Sequence, residues 1–174
     1  GQMNAHDDMD PAQAAATIIA HVTDGVALAR QYRLPRRIDD FILEHHGTMI
    51  TRYQFNKAIE AAGGNASKVD KENFRYPGPR PRSRETALLM LADGAEARAR
   101  AERPQDEEAL RKVVLSTIES AQKQGQFDNT QLTLRDLSII TESFVNVLRG
   151  THHPRVSYPK EESAVTNVLT APRK

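Results

Sequence analysis

The chain has 174 residues, no cysteine and a formal net charge of +1, with 39% hydrophobic and 27% charged residues. This composition is typical of one soluble globular domain with a sizeable core. Because cysteine is absent, disulfides, thiolate catalysis and zinc–thiolate sites are excluded, and a metal would need imidazole and carboxylate ligands. The small net charge does not indicate binding to a nucleic-acid polymer or a membrane. There is no signal-peptide pattern and no apolar run near the roughly 18 residues that span a bilayer.

Helical patterns dominate the sequence, and strand-like alternation is weak. The first predicted helix begins at Asp10 as N-cap, with Pro11 at its first position. Its apolar face, at three- or four-residue spacing, comprises Ile18, Val22, Val26 and Ala29. His21 lies in the same helix, within "IIAHVTDG". Taken alone, a histidine on an apolar face is more often a hydrogen-bonded core residue than a metal ligand.

Pro35 opens the second predicted helix, over about residues 36–46. Its inward positions are expected to be Ile38, Phe41 and Ile42. The helix closes on two imidazoles, His45 and His46, and Gly47 follows as a left-handed cap. Adjacent helical residues point about 100° apart, so we expect this pair to address two neighbouring ions, or an ion and a phosphate. The alternative is that the pair only complements the helix dipole.

Four more helices are predicted, over about residues 48–62, 83–101, 105–124 and 132–150. Their limits are set by Gly63-Gly64, Ser83, Gly125, a capping box of Thr133 with Asp136, and Gly150. Residues 63–82 are expected to form a long, proline-rich loop. The predicted fold class is therefore all-α, a bundle of about six helices, with one domain over residues 1–160 and a flexible tail over 161–174.

Two features of the later sequence need a physical explanation. Between Asn73 and Arg84 there are no acids and four arginines: Arg75, Arg80, Arg82 and Arg84. This segment is either a solvated loop or a loop that faces an anion. Asp93 follows a strongly apolar turn in "LLMLADGAEA". A buried carboxylate costs several kcal/mol unless it is paired or binds a metal, so Asp93 is expected to have an arginine partner or a cation.

Two other histidine-containing pairs are not assigned to a site. His152 and His153 follow a helix end and precede a proline, which favours a structural or capping role. His6 and Asp7 lie in a predicted loop, and their spacing alone does not indicate a ligand pair.

Three segments carry a resemblance to a known family: "HVTDGVALARQYRLPRRIDDFILEHHGT", "NFRYPGPRPRSRETALLMLADGAEA" and "LTLRDLSIITESFVNVLRGTHHPRVSYP". From about Asn4 to Pro159 the chain resembles the cytoplasmic HD domain of the seven-transmembrane HD hydrolases, the PgpH-type cyclic-di-AMP phosphodiesterases. The resemblance implies an all-α HD fold with two divalent metal ions, iron or manganese. It also implies that a metal-bound hydroxide opens cyclic di-AMP to linear pApA.

The same resemblance implies roles for individual residues. The implied metal ligands are His21, His45, His46 and Asp93. The implied substrate-binding residues are Arg75, Arg80, Thr48 and Tyr53. Since imidazoles must be neutral to bind a metal, activity is expected to fall at acidic pH.

The family's His-Asp dyad and an earlier histidine ligand correspond to a region upstream of Gly1, and His6-Asp7 is not that dyad. We therefore expect this chain alone to have little or no phosphodiesterase activity, because the bridging carboxylate would be missing. The implied partners are cyclic di-AMP and upstream transmembrane and extracytoplasmic segments, which place the domain at the cytoplasmic face of a bacterial inner membrane. Alternatives are a nucleotide sensor without turnover, an HD phosphohydrolase for another cyclic dinucleotide or nucleotide, and a helical interaction module.

Overall fold

The computed structural model describes residues 9–152, and the side chains of residues 9–150. Six α-helices follow one another: α1 (Pro11–Gln31), α2 (Arg36–Glu44), α3 (Arg52–Ala61), α4 (Arg84–Glu102), α5 (Glu107–Lys123) and α6 (Leu134–His152). The described part of the chain contains no strand, only an isolated bridge between Ile50 and Arg75. The predicted all-α class and helix number are confirmed. The expectations for His6, Asp7, the side chains of His152 and His153, and the tail lie outside the described residues.

Several helices begin where a side chain can satisfy the free backbone N–H groups of the first turn. The Asp10 carboxylate accepts hydrogen bonds from the N–H groups of residues 12 and 13, and Pro11 occupies the first helical position. The Thr133 hydroxyl accepts from the Asp136 N–H at 3.1 Å, and the Asp136 carboxylate accepts from the Thr133 N–H at 2.8 Å. These predicted helix starts are confirmed. They could be predicted because each depends on residues within one turn of each other.

Other boundaries differ from the prediction. The helix α2 ends at Glu44, so both histidines follow its last regular turn. The helix α3 begins at Arg52, four residues late, and α6 runs through Gly150 to His152. A glycine weakens a helix interior by only about 1 kcal/mol, so it does not by itself end one. The loop over residues 63–82 contains two short 3₁₀ helices, Ala66–Lys68 and Lys71–Phe74, which the sequence analysis missed.

The helices form two groups that meet near the middle of the molecule. The helix α1 packs against α2, α3 and the second 3₁₀ helix, while α4, α5 and α6 pack together around the main core. That core is built from Met90, Leu91, Ala95, Ala99, Leu110, Val113, Val114, Ile118, Ala121, Val145 and Leu148. Contacts between α2 and α4 join the two groups. The predicted inward position of Ile38 is wrong, since it is 37% exposed on the outer side of α2.

By length and composition, α1 could cross a membrane, which the sequence analysis did not anticipate. Such evidence from one helix is weak, because core helices and signal sequences meet the same criteria. Only 28% of the apolar window of α1 is buried, but Val22, Val26 and Ala29 are, and α1 contacts three other elements of the domain.

The arginine-rich segment is held to the rest of the fold by ion pairs. Each of its four arginines contacts a carboxylate: Arg75 with Glu72 (2.7 Å), Arg80 with Asp128 (3.0 Å), Arg82 with Glu44 (2.8 Å) and Arg84 with Asp136 (3.0 Å). The partners lie in the loop itself, after α5, at the end of α2 and at the start of α6. The arginines are thus paired with carboxylates while remaining partly exposed, and the choice between a solvated loop and an anion-facing loop stays a prediction.

Candidate metal centre

Three histidines from two separate parts of the chain converge on one point. His21 lies in the middle of α1, and His45 and His46 follow the end of α2. One ring nitrogen from each histidine lies within 4.8 Å of the corresponding nitrogens of the other two. Among the described residues, this is the one group of three or more histidine or acidic side chains that meets this criterion.

The two adjacent imidazoles point to the same side, so they can also bind a single ion, and the prediction that they address two neighbouring ions or an ion and a phosphate stays a prediction. Their ring centroids are 4.0 Å apart and the rings are tilted by 41°. The regular helical spacing does not apply here, because the hydrogen bonds change beyond His45. The Gly47 N–H donates to the Glu44 carbonyl at 3.0 Å and the Met49 N–H donates to the His46 carbonyl at 3.1 Å, both three residues back.

The hydrogen bonds of His21 and His45 fix which nitrogens are available. Nδ1 of His21 lies 2.5 Å from the Ile18 carbonyl oxygen, and Nδ1 of His45 lies 2.7 Å from the Ile42 carbonyl oxygen. A carbonyl only accepts, so both Nδ1 atoms act as donors, and in a neutral ring the Nε2 atom then presents a lone pair. The two Nε2 atoms are 3.1 Å apart, a distance at which they can share a proton or bind one metal ion.

This arrangement is the one that metal-binding histidines adopt. A metal-ligating imidazole usually donates its other N–H to a carbonyl or carboxylate, which fixes the tautomer and the ring orientation. A shared proton would serve only His21 and His45, whereas the third imidazole and a nearby carboxylate complete a set of nitrogen and oxygen donors. Such donors suit divalent zinc, iron, manganese and related ions. The residues present therefore fit a divalent metal ion.

His46 is the most enclosed of the three rings. It stacks on Tyr76, with ring centroids 4.3 Å apart and an angle of 21°. Burial, and then the neighbouring His45 and His21, lower the pKa of His46 from 6.5 to about 3. This imidazole is therefore neutral at neutral pH, which is the form that binds a metal.

Asp93 on α4 lies beside this ring, with Oδ2 at 3.8 Å from Nδ1 of His46. The expectation that it is buried is wrong, because its side chain is 48% exposed. Its exposure follows from its position on the side of α4 that faces a cleft rather than the core. The carboxylate also affects Tyr76, whose pKa is raised to about 12 by burial and by the charge of Asp93.

The turn after the histidine pair is held by Gln126, a fully buried residue that the sequence analysis missed. Its Oε1 accepts from the Thr48 N–H at 3.0 Å, and its Nε2 donates to the Thr48 hydroxyl at 3.0 Å. Gly47 has φ of +50°, and a Cβ there would lie 2.2 Å from Oε1 of Gln126. Glycine is thus required at this turn. A polar residue that follows a helix-ending glycine carries no sequence signal for such a role.

A cleft of about 870 Å³ opens beside the histidines, near the upper end of the usual size for small-molecule sites. His45, His46, Asp93 and Tyr53 line it. Further polar residues on its walls are Thr51, Gln54, Asn56, Ser116, Thr117, Ser120 and Gln124.

The other predicted substrate residues do not line this cleft. The Arg75 guanidinium donates to the Thr48 carbonyl at 2.8 Å and to Glu72 at 2.7 Å. Arg80 donates to Asp128 at 3.0 Å, and the N–H and hydroxyl groups of Thr48 are engaged by Gln126. The structure therefore brings the three predicted histidine ligands together, with Asp93 in contact with His46 alone among them, and of the four predicted substrate residues it places Tyr53 on the cleft wall.

No family model matches the chain. Two relatives are named cyclic-di-AMP phosphodiesterase PgpH, one from Bacillus subtilis and one from Listeria monocytogenes. They are 34% and 29% identical to 93% and 92% of this chain. An uncharacterised protein of Synechocystis is 38% identical over 99% of the chain. The chain spans only about a fifth of these relatives, between 21% and 22% of their length.

Solved structures support the same assignment. The HD domain of Listeria monocytogenes PgpH superposes with a TM-score of 0.78 at 28% identity, covering 87% of this chain and 69% of that one. The same domain in complex with cyclic di-AMP gives a TM-score of 0.79 at 29% identity, covering 89% and 71%. In sequence and in fold, this chain is similar to the HD domain of PgpH. Its histidine cluster lies where α1, the end of α2 and α4 meet.

Proposed function

We propose that this chain is the HD domain of a metal-dependent phosphodiesterase that hydrolyses cyclic di-AMP to pApA. The observation that carries the proposal is the convergence of His21, His45 and His46, with two Nε2 atoms 3.1 Å apart and their Nδ1 atoms bonded to carbonyls. Two relatives that bear the name cyclic-di-AMP phosphodiesterase, and the complex of a similar HD domain with cyclic di-AMP, supply the substrate.

His21, His45, His46 and Asp93 would hold the metal, with iron or manganese as the proposed ion. A bound divalent ion supplies Lewis acidity, which activates water and stabilises charge that develops on a phosphoryl oxygen. Four donors are enough for one ion, so the proposed second ion needs ligands beyond this set. We propose that an upstream segment supplies those ligands.

The chain's own residues prepare the site for an anionic substrate. The His46 imidazole is held neutral by burial, so it does not need to lose a proton before it binds the ion. The Asp93 carboxylate is exposed to the cleft, where it can reach both an ion and its water. Tyr76 covers one face of His46 and fixes its plane.

We assign the substrate to the 870 Å³ cleft, with Tyr53 as the predicted contact that lies on its wall. We propose that Thr48 and Arg75 act by shaping the turn after the histidines, which is supported by the hydrogen bond of Arg75 to the Thr48 carbonyl at 2.8 Å. Arg80 pairs instead with Asp128 at 3.0 Å.

Because the chain spans about a fifth of its curated relatives, the setting of the domain is also a proposal. We propose that it works at the cytoplasmic face of a bacterial inner membrane, next to upstream transmembrane and extracytoplasmic segments of the same protein. The substrate would then reach the cleft from the cytoplasm.

The test is a product assay with cyclic di-AMP and Mn²⁺, resolved by chromatography. It compares this chain, a version extended upstream at its N-terminus, and the extended version with His45→Ala. We expect pApA from the extended version and a loss of at least a hundredfold with His45→Ala. An extended version that binds the metal but gives no pApA contradicts the proposal. If calorimetry then shows binding of cyclic di-AMP without turnover, the domain is a nucleotide sensor.

A further inference from the structure

Glu44 is a buried acid that does not belong to the group of candidate metal ligands. It is the last residue of α2, it directly precedes His45, and only 1% of it is exposed. Taking a carboxylate out of water costs several kcal/mol, and only good hydrogen-bond geometry offsets that cost. The partners of Glu44 therefore indicate what the residue does.

The hydrogen-bond partners of the Glu44 carboxylate are Arg82, just before α4, and Thr86, in the first turn of α4. Oε2 accepts from the Arg82 backbone N–H at 2.8 Å and from the Thr86 hydroxyl at 2.6 Å. Oε1 accepts from Nε of Arg82 at 2.8 Å. Thr86 is itself fully buried. Three hydrogen bonds therefore connect the end of one helix to the start of another.

The two connected helices are the ones that present metal ligands to each other. The histidine pair continues directly from Glu44, and Asp93 lies seven residues after Thr86 on α4. Seven residues are about two helical turns, so Thr86 and Asp93 lie on the same side of α4. The Glu44–Thr86 contact and the His46–Asp93 contact at 3.8 Å are therefore two successive contacts along one helix interface.

We propose that Glu44 is a positioning residue for the metal centre. It fixes the position of the C-terminal end of α2 along the axis of α4, and its rotation relative to α4. The inference rests on the proposed function, because it assumes that the histidines and Asp93 hold a metal. The other polar contacts between α2 and the start of α4 are more exposed and lie further from the histidine pair: Arg37 with Ser83 and Glu85, and Asp40 with Arg82. Without the three hydrogen bonds of Glu44, small shifts of one ligand against another weaken metal binding.

A purely stabilising role does not require an acid at this position. Buried ion pairs are often replaced by apolar residues of similar volume with no loss of stability, because desolvation offsets the attraction. What an apolar residue cannot do is set a directional, three-point contact beside the ligands. Residues that orient metal ligands typically change metal affinity by about 10–100-fold when they are replaced.

The experiment measures the Kd for Mn²⁺ by calorimetry on the chain and on Glu44→Gln, Glu44→Ala and Thr86→Val. The control is Val145→Ala, a core substitution in α6, which lowers the melting temperature without touching the α2–α4 contact. We expect Glu44→Ala and Thr86→Val to raise the Kd about tenfold or more. Glu44→Gln keeps the shape and should give a smaller rise, and Val145→Ala should leave the Kd within about twofold.

Thr86→Val removes a single hydroxyl and keeps the volume, so it tests the inference even where Glu44→Ala does not fold. Folded variants of both residues that bind Mn²⁺ as tightly as the unmodified chain would overturn the inference and leave the proposed function intact. An equal loss of affinity in Val145→Ala would overturn it too, since the effect would then follow stability. An unmodified chain that binds no Mn²⁺ would instead contradict the proposed function itself.

Discussion

Nε2 of His21 lies 3.1 Å from Nε2 of His45, and Nδ1 of each ring lies within hydrogen-bond distance of a backbone carbonyl three residues earlier. The two residues are 24 positions apart in the chain and belong to different elements. Two imidazole nitrogens this close can share a proton or bind one metal ion. This relationship links the fold to the proposed metal chemistry.

Replacing His21 should abolish tight metal binding and leave the fold in place. The residue is exposed, so His21→Ala creates no core cavity, but it removes one of two nitrogens that face the ion. We expect the Kd for Mn²⁺ to rise at least a hundredfold and the helical circular dichroism to stay unchanged. Thr17→Ala, one turn earlier on the exposed surface of α1, is the matched control. Equal Mn²⁺ affinity in the two variants would argue against a ligand role for His21.

Gly47→Ala should be severely destabilising. At φ of +50° a new Cβ would lie 2.2 Å from Oε1 of Gln126 and 2.7 Å from Cε of Met90. The left-handed backbone costs about 1–2 kcal/mol and the overpacking about 1–3 kcal/mol, so we expect a total of roughly 3 kcal/mol. Chemical denaturation gives the free energy of unfolding.

The control for this substitution is Gly63→Ala. Gly63 has φ of +71°, but a Cβ added there would have no other atom within 4 Å. It therefore reports the backbone cost alone, about 1–2 kcal/mol. If both alanine variants lose the same free energy, the packing of Gly47 against Gln126 does not matter for stability.

Stability of the metal-free chain should fall below pH 6.5 because of His46. Its pKa is about 3 in the folded chain against an ordinary value of 6.5, so the unfolded chain binds the proton more readily. The contribution is fully present above pH 6.5 and is lost progressively as the pH falls toward 3. Between pH 7.5 and pH 5 we expect a loss on the order of 2 kcal/mol.

The matched variant for the pH experiment is His46→Gln, which keeps a polar side chain of similar length but does not titrate. Its free energy of unfolding, followed by urea denaturation across the same pH range, should show a shallower dependence by the amount that His46 contributes. Identical slopes for the two proteins would assign the acid sensitivity to other groups.

Tyr53 and Arg80 should behave differently as substrate residues. Tyr53 lines the cleft, whereas Arg80 does not line it and donates to Asp128. In a turnover assay with the N-terminally extended domain, we expect Tyr53→Ala to raise the Michaelis constant for cyclic di-AMP several-fold. Arg80→Ala should change the Michaelis constant by less than about twofold, because Arg80 does not line the cleft. Its exposed ion pair also contributes only about 1 kcal/mol or less to stability. A larger rise with Arg80→Ala would restore the sequence-based assignment.

The parts of the fold that could be predicted from the sequence depend on neighbours in the chain. Asp10 with Pro11, and Thr133 with Asp136, act within a single turn, so their patterns identified two helix starts correctly. The prediction that the last helix ends at Gly150 is wrong, because α6 continues through this residue to His152.

The site required knowledge that local patterns do not carry. The meeting of His21 with His45 depends on how α1 packs on α2, and the predicted ligand set came from a family resemblance. The burial of Glu44 and Gln126 gave no local signal, since polar residues at helix ends are usually solvated. Arg80 and Arg84 looked like free cations because Asp128 and Asp136 lie about fifty residues further on.

The central claim is most directly tested by a crystal structure of the chain grown with Mn²⁺ and measured at a wavelength where manganese scatters anomalously. We expect one anomalous peak between Nε2 of His21 and Nε2 of His45, with His46 and Asp93 completing the ligands. If the protein binds Mn²⁺ in solution but the crystal shows no anomalous peak at this position, the assignment of the metal centre to these residues is contradicted.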